Sequence, residues 1–389
     1  MADDELRRLE RSTDPADVAR LAHALARAGR GAEAMDAAIR ALPTAPDDDD
    51  LRVLLAPAWS EVDLRHDVTY WDYSVPWRGL RTLGRVRTMY LPELGPVGSA
   101  GPSWMLDAGG GVVLVTHGGG LAAMDLVRSR VSWTTPERLR AHFATVDGVV
   151  VEDDANEVHV LDPRTGARRA YAGQVDSLAD VARIDDVLYV ATRGTTLWLF
   201  DPRTGARLAE VDLEAAPTNL VTDPTGFVLQ LGDTTCSYDR TGTPRWRNDG
   251  GTHPIGSRDG RVYLSGVGET LVVSAESGEV VRALDVFSLD PLLVTRSAVI
   301  VAGVELWAFD RITLERLWSV EVEPYLQFAS TADAILELGG QQLRSLAAED
   351  GAELARLDLG ARPRSRTMLL CAGKLVFAAA HRAGLIVVE

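Results

Sequence analysis

Four titratable residues recur at one position of a repeating sequence pattern and could act together on a ligand. His117, His381, Asp154 and Arg193 each lie four residues before the aliphatic residue that opens a predicted strand. Imidazole, carboxylate and guanidinium groups on one surface could bind an anion, a peptide or a metal ion. These four residues are the predicted interaction face. The alternative, exposed turn residues without a function, stays open, and a metal ion would need a further ligand that the sequence does not identify.

Known catalytic motifs do not accompany these residues. The sequence has no GxSxG nucleophile elbow, no GxxxxGK[ST] phosphate loop, no HExxH and no EF-hand loop. The segment THGGGL at 116–121 resembles the oxyanion loop of α/β-hydrolases, but its position in the repeat predicts a hairpin turn. Cys236 and Cys371 have no partners at metal-ligand spacing and are predicted to be buried side chains. The sequence therefore predicts no catalytic residue, no metal site and no cofactor.

Short repeated strands must position the predicted interaction face. From about residue 100, apolar β-branched runs alternate with turns rich in Gly, Asp, Pro and Thr. Eight units are recognised by the residue that closes the third strand of each, at Asp125, Asp162, Asp201, Asp239, Ala275, Asp310, Ala347 and Glu389. These positions lie 35 to 42 residues apart. Such a period in an all-β pattern predicts an eight-bladed β-propeller with four strands in each blade.

The aspartates at these positions are predicted to serve turns. The sequence DPRTGAR occurs twice, at 162–168 and 201–207, directly after the predicted third strand. Asp can accept backbone N–H groups there, Pro presets φ, and Gly tolerates a positive φ. The repeated motif therefore indicates a tight turn into the fourth strand rather than a binding signature. The same structural role is assigned to Asp125, Asp162, Asp201, Asp239 and Asp310.

Tryptophans mark a second regular position, seven or eight residues after the closing residue. Trp133, Trp246 and Trp318 lie there and are predicted to cover the seams between neighbouring blades from the fourth strands. Trp198 and Trp307 share a position on the third strand. An aromatic cage around a ligand is the alternative role for these rings.

The ring of blades is predicted to close through a strand from the front of the chain. The eighth unit ends at Glu389 after its third strand, so its fourth strand must come from elsewhere. The segment RVRTMYLPE at 85–93 alternates like a strand, and pairing it with the last blade would cover two sheet edges. The segment VTYWDYSVPW at 68–77 is the competing candidate.

The front of the chain has a helical period. Asp14 and Pro15 form a helix start, and Pro43 stops a second helix. The pattern LAHALARAGRGAEAMDAAIRALP resembles a single tetratricopeptide-type hairpin, which implies a cap or docking piece because at least three such repeats are needed for a groove. The predicted division is a helical hairpin with its linker at 1–60 and a propeller with its latch segment at 61–389.

The repeated units resemble those of pyrroloquinoline-quinone-type propellers. LYVATRGTTLWLFDPRTGARLAE and VIVAGVELWAFDRITLERLWSV carry the likeness, and all eight units fit it over residues 100–389. Among such proteins, quinoprotein dehydrogenases imply a quinone, calcium, a catalytic aspartate and adjacent cysteines, and this sequence lacks the adjacent cysteines. BamB-type assembly lipoproteins imply a rigid interaction disc instead, although the lipoprotein signal is missing here.

Composition narrows the choice of partner. The chain is 46% hydrophobic and 25% charged, with a formal net charge of -16. This charge makes binding to nucleic acid or to an anionic membrane surface unexpected. The acidic start of the chain shows no apolar targeting segment, so a cytoplasmic location is expected.

The favoured hypothesis from the sequence is a non-catalytic scaffold that binds another protein. The alternative is a small-ligand-binding or quinoprotein-like enzyme that uses the central channel. For that alternative, the predicted first strands supply His142, Asn219 and Gln327 but few carboxylates.

Overall fold

Eight antiparallel sheets of four strands each form the β part of the chain in the computed structural model. The predicted eight-bladed β-propeller is therefore confirmed. The described residues are 2–28, 30–46, 48–55, 83, 86–90, 105–117, 120–135, 137–144, 148–174, 178–184, 187–201, 204–288, 292–322, 327–360, 369–371, 373–378 and 384–388.

Each sheet is one blade, numbered in chain order from the first that follows residue 100. Blade 1 contains β2 (Met105–Asp107), β3 (Val112–His117), β4 (Gly120–Asp125) and β5 (Arg130–Thr134), and blade 2 contains β6 (Leu139–Ala144), β7 (Val149–Asp153), β8 (Glu157–Leu161) and β9 (Arg168–Gln174). Blade 3 contains β10 (Leu178–Ile184), β11 (Val187–Thr192), β12 (Thr196–Phe200) and β13 (Arg207–Asp212), and blade 4 contains β14 (Pro217–Asp223), β15 (Gly226–Leu231), β16 (Thr234–Asp239) and β17 (Pro244–Asn248). Blade 5 contains β18 (His253–Arg258), β19 (Arg261–Ser265), β20 (Thr270–Ser274) and β21 (Val280–Leu284), and blade 6 contains β22 (Leu293–Val294), β23 (Ala298–Ala302), β24 (Glu305–Asp310) and β25 (Arg316–Glu321). Blade 7 contains β26 (Gln327–Ser330), β27 (Ala334–Gly339), β28 (Gln342–Ala347) and β29 (Glu353–Asp358), and blade 8 contains β30 (Leu369–Cys371), β31 (Lys374–Ala378), β32 (Gly384–Val388) and β1 (Val86–Tyr90).

The antiparallel order of the strands decides which turns share a face of the disc. First strands of neighbouring blades contact each other, as β10 and β14 do, and therefore surround the central axis. Because successive strands reverse direction, the turns between second and third strands all lie on one face. The segments that lead from the fourth strand of one blade to the first strand of the next, which we call crossings, lie on the same face. We call this the upper face. The turns between first and second strands, and between third and fourth strands, lie on the lower face.

The ring closes through β1, as the sequence predicts. β1 pairs antiparallel with β32, with Val86 opposite Val388 and Tyr90 opposite Gly384. The strand falls inside the predicted segment 85–93, which is thereby confirmed as the latch. The competing segment 68–77 lies outside the described residues. The pairing completes the eighth blade and covers the edge of β32 that would otherwise be open to pairing with other chains.

Apolar side chains fill the spaces between neighbouring blades. Tyr189 of blade 3 lies 5.1 Å from Phe227 of blade 4, measured between ring centroids, and Phe227 stacks on Tyr238 at the same distance. These three rings belong to one buried cluster that joins blades 3 and 4. The core is therefore distributed around the ring, which leaves the turns of both faces available for other roles.

The tryptophans of three fourth strands bind the next blade. Trp133, Trp246 and Trp318 each donate their indole N–H to a backbone carbonyl in the turn that follows the third strand of the neighbouring blade. The acceptors are Pro163, Ala275 and Ala348, at 2.9, 2.9 and 3.2 Å. A buried indole needs such a partner for its N–H group. These rings therefore fasten one blade to the next.

Aspartates organise the turn between the third and fourth strands in five of the blades. A carboxylate oxygen of Asp162 accepts the N–H groups of Arg164 and Thr165 at 2.8 and 3.0 Å. Asp310 does the same in blade 6, at 2.9 and 2.7 Å, and these N–H donors hold the pKa of its carboxyl below the usual value. Backbone N–H groups of their own turns are also accepted by Asp125, Asp201 and Asp239. This geometry assigns the acidic position to turn formation.

The front of the chain forms four helices within the described residues: α1 (Ala2–Glu10), α2 (Pro15–Arg27), α3 (Gly31–Ala41) and α4 (Asp49–Val53). Asp14 caps α2 by accepting the N–H of Ala16 at 2.9 Å. The helices share one apolar core with side chains of blades 7 and 8. Ile39 lies over Gly373 in the turn between β30 and β31, where an added Cβ would be 2.7 Å from its side chain. The helices therefore cover the lower face next to the closure, and the likeness of α2 and α3 to a tetratricopeptide hairpin stays a prediction.

Within the described residues, no helix has the length and apolar character that crossing a lipid bilayer requires.

Candidate functional site

Two residues of the predicted interaction face, Asp154 and Arg193, lie in turns of the upper face. His117 ends β3 and pairs with Gly120 across the turn, while its side chain and the whole of His381 lie outside the described residues. Asp154 and Arg193 occupy the matching turns of blades 2 and 3, and both are exposed. No ion pair joins Asp154 to Arg193. These two residues share a face without forming one cluster.

Three exposed apolar side chains stand on the upper face of blades 5 and 6. Val267, in the turn between β19 and β20, is 100% exposed, and Val304, in the turn between β23 and β24, is 86% exposed. Phe287, in the crossing from β21 to β22, is 45% exposed. We call these three residues the apolar patch. Neighbouring exposed hydrophobic side chains on a folded surface are typical of interaction sites.

The crossing segment brings the parts of the apolar patch together. The hydroxyl of Thr270, which opens β20, donates to the carbonyl of Val286 at 2.9 Å. On the other side, a Cβ added to Gly303 would lie 2.8 Å from the carbonyl oxygen of Phe287. The crossing is therefore held against both blades, and its backbone at Phe287 lies between the turns that carry the two valines.

Three carboxylates lie close to the apolar patch residues along the chain. Glu269 and Asp285 are exposed and lie two residues from Val267 and Phe287 in the chain, and the half-buried Glu305 follows Val304 directly. The local charge has the same sign as the net charge of -16 for the whole chain. A partner that presents cationic groups beside apolar ones would complement this surface.

The apolar patch lies outside the interaction face that the sequence predicts. A signal was present, since the turns GVGE at 266–269 and GVE at 303–305 each carry a valine at a position where turns favour small or polar residues. Phe287 had no such signal, because its place beside these turns depends on the path of the crossing.

A cluster of one imidazole and two carboxylates lies on blade 2. Nε2 of His159 is 3.3 Å from an oxygen of Asp153 and 3.7 Å from an oxygen of Glu157. The other oxygen of Asp153 accepts the N–H groups of Ala155 and Glu157, both at 2.9 Å. These groups flank the upper-face turn that contains Asp154. The predicted interaction face includes Asp154 but not these three neighbours, although the alternation of β8 places Glu157 and His159 on one side of that strand.

The inner strands show no convergent catalytic set among the residues that the structure describes. Asn219 donates its side-chain N–H to Gln230 at 2.7 Å, so its amide is used within blade 4. Gln327 opens β26, and the side chain of His142 lies outside the described part of β6. The predicted use of the central channel by a ligand stays a prediction.

One inner carboxylate is buried between two blades. Asp180 of β10 accepts the N–H of Val181 at 2.8 Å and, across the seam, the N–H of Leu220 in blade 4 at 3.0 Å. Burial raises the pKa of Asp180 to about 7, against the lowering effect of these two N–H groups. This aspartate links blades 3 and 4, and its contacts explain its place without a substrate.

A small cavity lies on the lower face where α4 meets blade 1. Its volume is about 110 Å³, and Arg52, Asp125 and Arg128 line it. Arg52 donates to both oxygens of Asp125 at 3.2 and 3.0 Å, and Arg128 donates to the same carboxylate at 3.0 Å. The side chains of Arg52 and Asp125 are only 9% and 2% exposed. This buried ion pair fastens the helices to blade 1.

The architecture and its repeats define the class of the protein, an eight-bladed propeller with units like those of quinone-type propellers. Residues 232–389 match the family model described as outer membrane protein assembly factor BamB. The match spans less than half of the chain. The sequence has no significant match among curated proteins.

Solved structures share the fold at low sequence identity. BamB from Moraxella catarrhalis is 16% identical with a TM-score of 0.57, and the match covers 79% of this chain and 100% of that chain. The computationally designed protein Ika8 is 14% identical with a TM-score of 0.60, over 82% of this chain and 99% of the designed one. The quinohemoprotein alcohol dehydrogenase of Comamonas testosteroni is 12% identical with a TM-score of 0.55, over 89% and 84%. These likenesses show the fold, which hosts many functions.

Proposed function

We propose that this protein is a non-catalytic scaffold that binds another protein through the upper face of blades 5 and 6. The observation that carries the proposal is the apolar patch, in which Val267 and Val304 are 100% and 86% exposed. The patch protrudes from turns, and protein interfaces combine such an apolar centre with a polar rim. Its acidic rim favours a partner segment in which apolar residues alternate with Arg or Lys.

The helices take a different role in this proposal. Their apolar side chains share a core with blades 7 and 8, and α4 holds blade 1 through the pair of Arg52 and Asp125. A tetratricopeptide-like hairpin used in this way is a cap on the ring closure rather than a second docking groove. The cytoplasm is the predicted compartment for the scaffold.

Peptide binding tests the proposed surface. The full chain is titrated with labelled ten-residue peptides of three compositions: apolar with basic, apolar with acidic, and polar with basic. The apolar and basic peptides are expected to bind most tightly, because only they match both the patch and its rim. The double variant Val267→Ser with Val304→Ser is expected to lose at least about ten-fold in affinity, equivalent to about 1.4 kcal/mol.

Two exposed valines away from the patch supply a matched control. Val280 and Val281 lie on β21, an outer strand, and are 58% and 51% exposed. The double variant Val280→Ser with Val281→Ser removes the same chemical groups and is expected to bind like the original chain. Equal binding of acidic and basic peptides, or equal losses in both double variants, would contradict the proposal.

A further inference from the structure

We propose that Asp153, Glu157 and His159 of blade 2 form a binding site for one divalent transition-metal ion, with Zn²⁺ as the ion that the geometry favours. The proposal is independent of the protein-docking function, since it concerns another blade and another kind of ligand. Imidazole nitrogen and carboxylate oxygen are both common zinc ligands in proteins.

The separations of the ligand atoms fit one ion. Two atoms bound about 2.1 Å from a tetrahedral Zn²⁺ lie about 3.4 Å from each other. Nε2 of His159 is 3.3 Å from Asp153 and 3.7 Å from Glu157, and all three ligand atoms lie within 4.8 Å of one another. Small side-chain adjustments bring this set around an ion.

The local fold holds the site open toward solvent on one side. The side chain of His159 is 5% exposed, whereas those of Asp153 and Glu157 are 19% and 40% exposed. The ring of Tyr171 lies 5.5 Å from that of His159 and packs against the imidazole from β9. An ion can therefore enter past the carboxylates, and a water molecule can take the fourth coordination position.

Charge gives a reason for a cation at this place. Asp153 and Glu157 flank one short turn, and their carboxylates converge on the same nitrogen although a single carboxylate would satisfy an imidazole N–H. Like charges so placed on neighbouring strands destabilise a sheet. A divalent ion bound to both carboxylates would remove that repulsion. The backbone N–H groups of Ala155 and Glu157 donate to the other oxygen of Asp153 and keep its carboxylate oriented toward the ion.

Calorimetric titration of the chelator-treated full chain with ZnCl₂ tests the site. One equivalent of Zn²⁺ is expected to bind and to raise the melting temperature, because the ion binds only the assembled site. Co²⁺ in place of Zn²⁺ is expected to give visible absorption bands of a low-symmetry site. Glu157→Gln and His159→Ala are each expected to weaken Zn²⁺ binding at least about ten-fold, since even the loss of an outer-shell partner costs that much.

Controls separate the site from general metal binding. His253, at the start of β18 in blade 5, is half-buried, and His253→Ala is expected to leave Zn²⁺ affinity unchanged. If His159→Ala unfolds, Glu157→Gln decides the question, because its partly exposed side chain can be exchanged without loss of the fold. Absence of one-equivalent binding, or an unchanged affinity in Glu157→Gln, would mean that the three residues are only a hydrogen-bonded cluster and would overturn the proposal.

Discussion

The indole ring of Trp246 lies directly on Gly278, although the two residues belong to different blades. A Cβ added to Gly278 would be 2.7 Å from Cγ of Trp246, closer than any real contact allows. The indole N–H donates to the carbonyl of Ala275 in the same turn at 2.9 Å. The turn after the third strand of blade 5 thus accommodates the tryptophan of blade 4, and this turn needs glycine both for its φ of +72° and for the space.

We expect Gly278→Ala to destabilise the propeller more than an ordinary change at a glycine with positive φ. Strain from the left-handed backbone costs about 1–2 kcal/mol, and displacement of the packed indole adds about 1–3 kcal/mol. The free energy of unfolding, measured by chemical denaturation, reports the sum.

Gly260→Ala is the matched control. Gly260 has nearly the same φ, +71°, but no atom within 4 Å of an added Cβ. This variant should show the backbone cost alone. Equal losses in the two variants would mean that the contact with Trp246 contributes nothing.

Arg52→Met is expected to lower the free energy of unfolding by about 3 kcal/mol. The change leaves the buried carboxylate of Asp125 with Arg128 as its remaining cationic partner, and breaking a buried ion pair typically costs 3–5 kcal/mol. Arg20 provides the comparison, because its pair with Asp17 is exposed on α2. Arg20→Met should cost less than about 1 kcal/mol. A loss for Arg52→Met no larger than that for Arg20→Met would show that α4 does not fasten the helices to blade 1.

Much of the architecture could be predicted from the sequence because each repeated sequence unit forms one blade. The period of the repeat predicts the number of blades and the four strands of each. The recurring acidic residue predicts the turn into the fourth strand. The latch follows from counting, since the eighth unit lacks a fourth strand and 85–93 has the alternation of one. Each of these features depends on neighbours in the chain or on the closure of the ring as a whole.

The candidate sites could not be predicted in the same way because they depend on contacts between distant segments. Phe287 reaches the two exposed valines only through the path of the crossing between blades 5 and 6. The approach of Asp153 to His159 depends on how a turn places one carboxylate, which strand alternation alone does not give. Arg52 meets Asp125 across a large separation in sequence, and no periodic signal links them.

The latch register predicts a specific cross-link. Thr88 of β1 lies opposite Ile386 of β32. Facing Cα atoms in an antiparallel pair are about 4.5–5.5 Å apart, which suits a disulfide. The double variant Thr88→Cys with Ile386→Cys should therefore form an intramolecular disulfide under mild oxidation and melt at a higher temperature when oxidised than when reduced.

A register control accompanies the cross-link. Thr88→Cys with Val388→Cys places the second thiol two residues along β32, and this pair should cross-link far more slowly in the folded chain. Gel mobility with and without reductant distinguishes the two variants. Equal cross-linking of both pairs would contradict the register of the latch.

Asp180 should make the protein less stable as the pH rises from about 4 to about 7. Its pKa in the folded chain is raised to about 7 from an ordinary value of 3.8, so in this range the folded state binds more protons than the unfolded state. The free energy of unfolding therefore falls with pH, and the contribution of the protonated carboxyl is lost once the pH passes about 7. Asp180→Asn removes this titration. Between about pH 4 and 7, the stability of the variant relative to the original chain should therefore rise by about 1.4 kcal/mol for each pH unit, a few kcal/mol in all.

Asp310 gives the opposite sign and serves as the control for this titration. Backbone N–H groups lower its pKa, so the stability it contributes is present above the ordinary value of 3.8 and is lost as the pH falls through its lower folded value. Asp310→Asn should therefore flatten only the acid side of the stability profile, whereas Asp180→Asn should flatten the range between pH 4 and 7. Thermal unfolding across pH 3 to 8 measures both effects. If Asp180→Asn leaves the pH dependence of stability between pH 4 and 7 unchanged, the carboxylate between blades 3 and 4 is ionised at no cost. The two N–H groups that it accepts would then outweigh the effect of its burial.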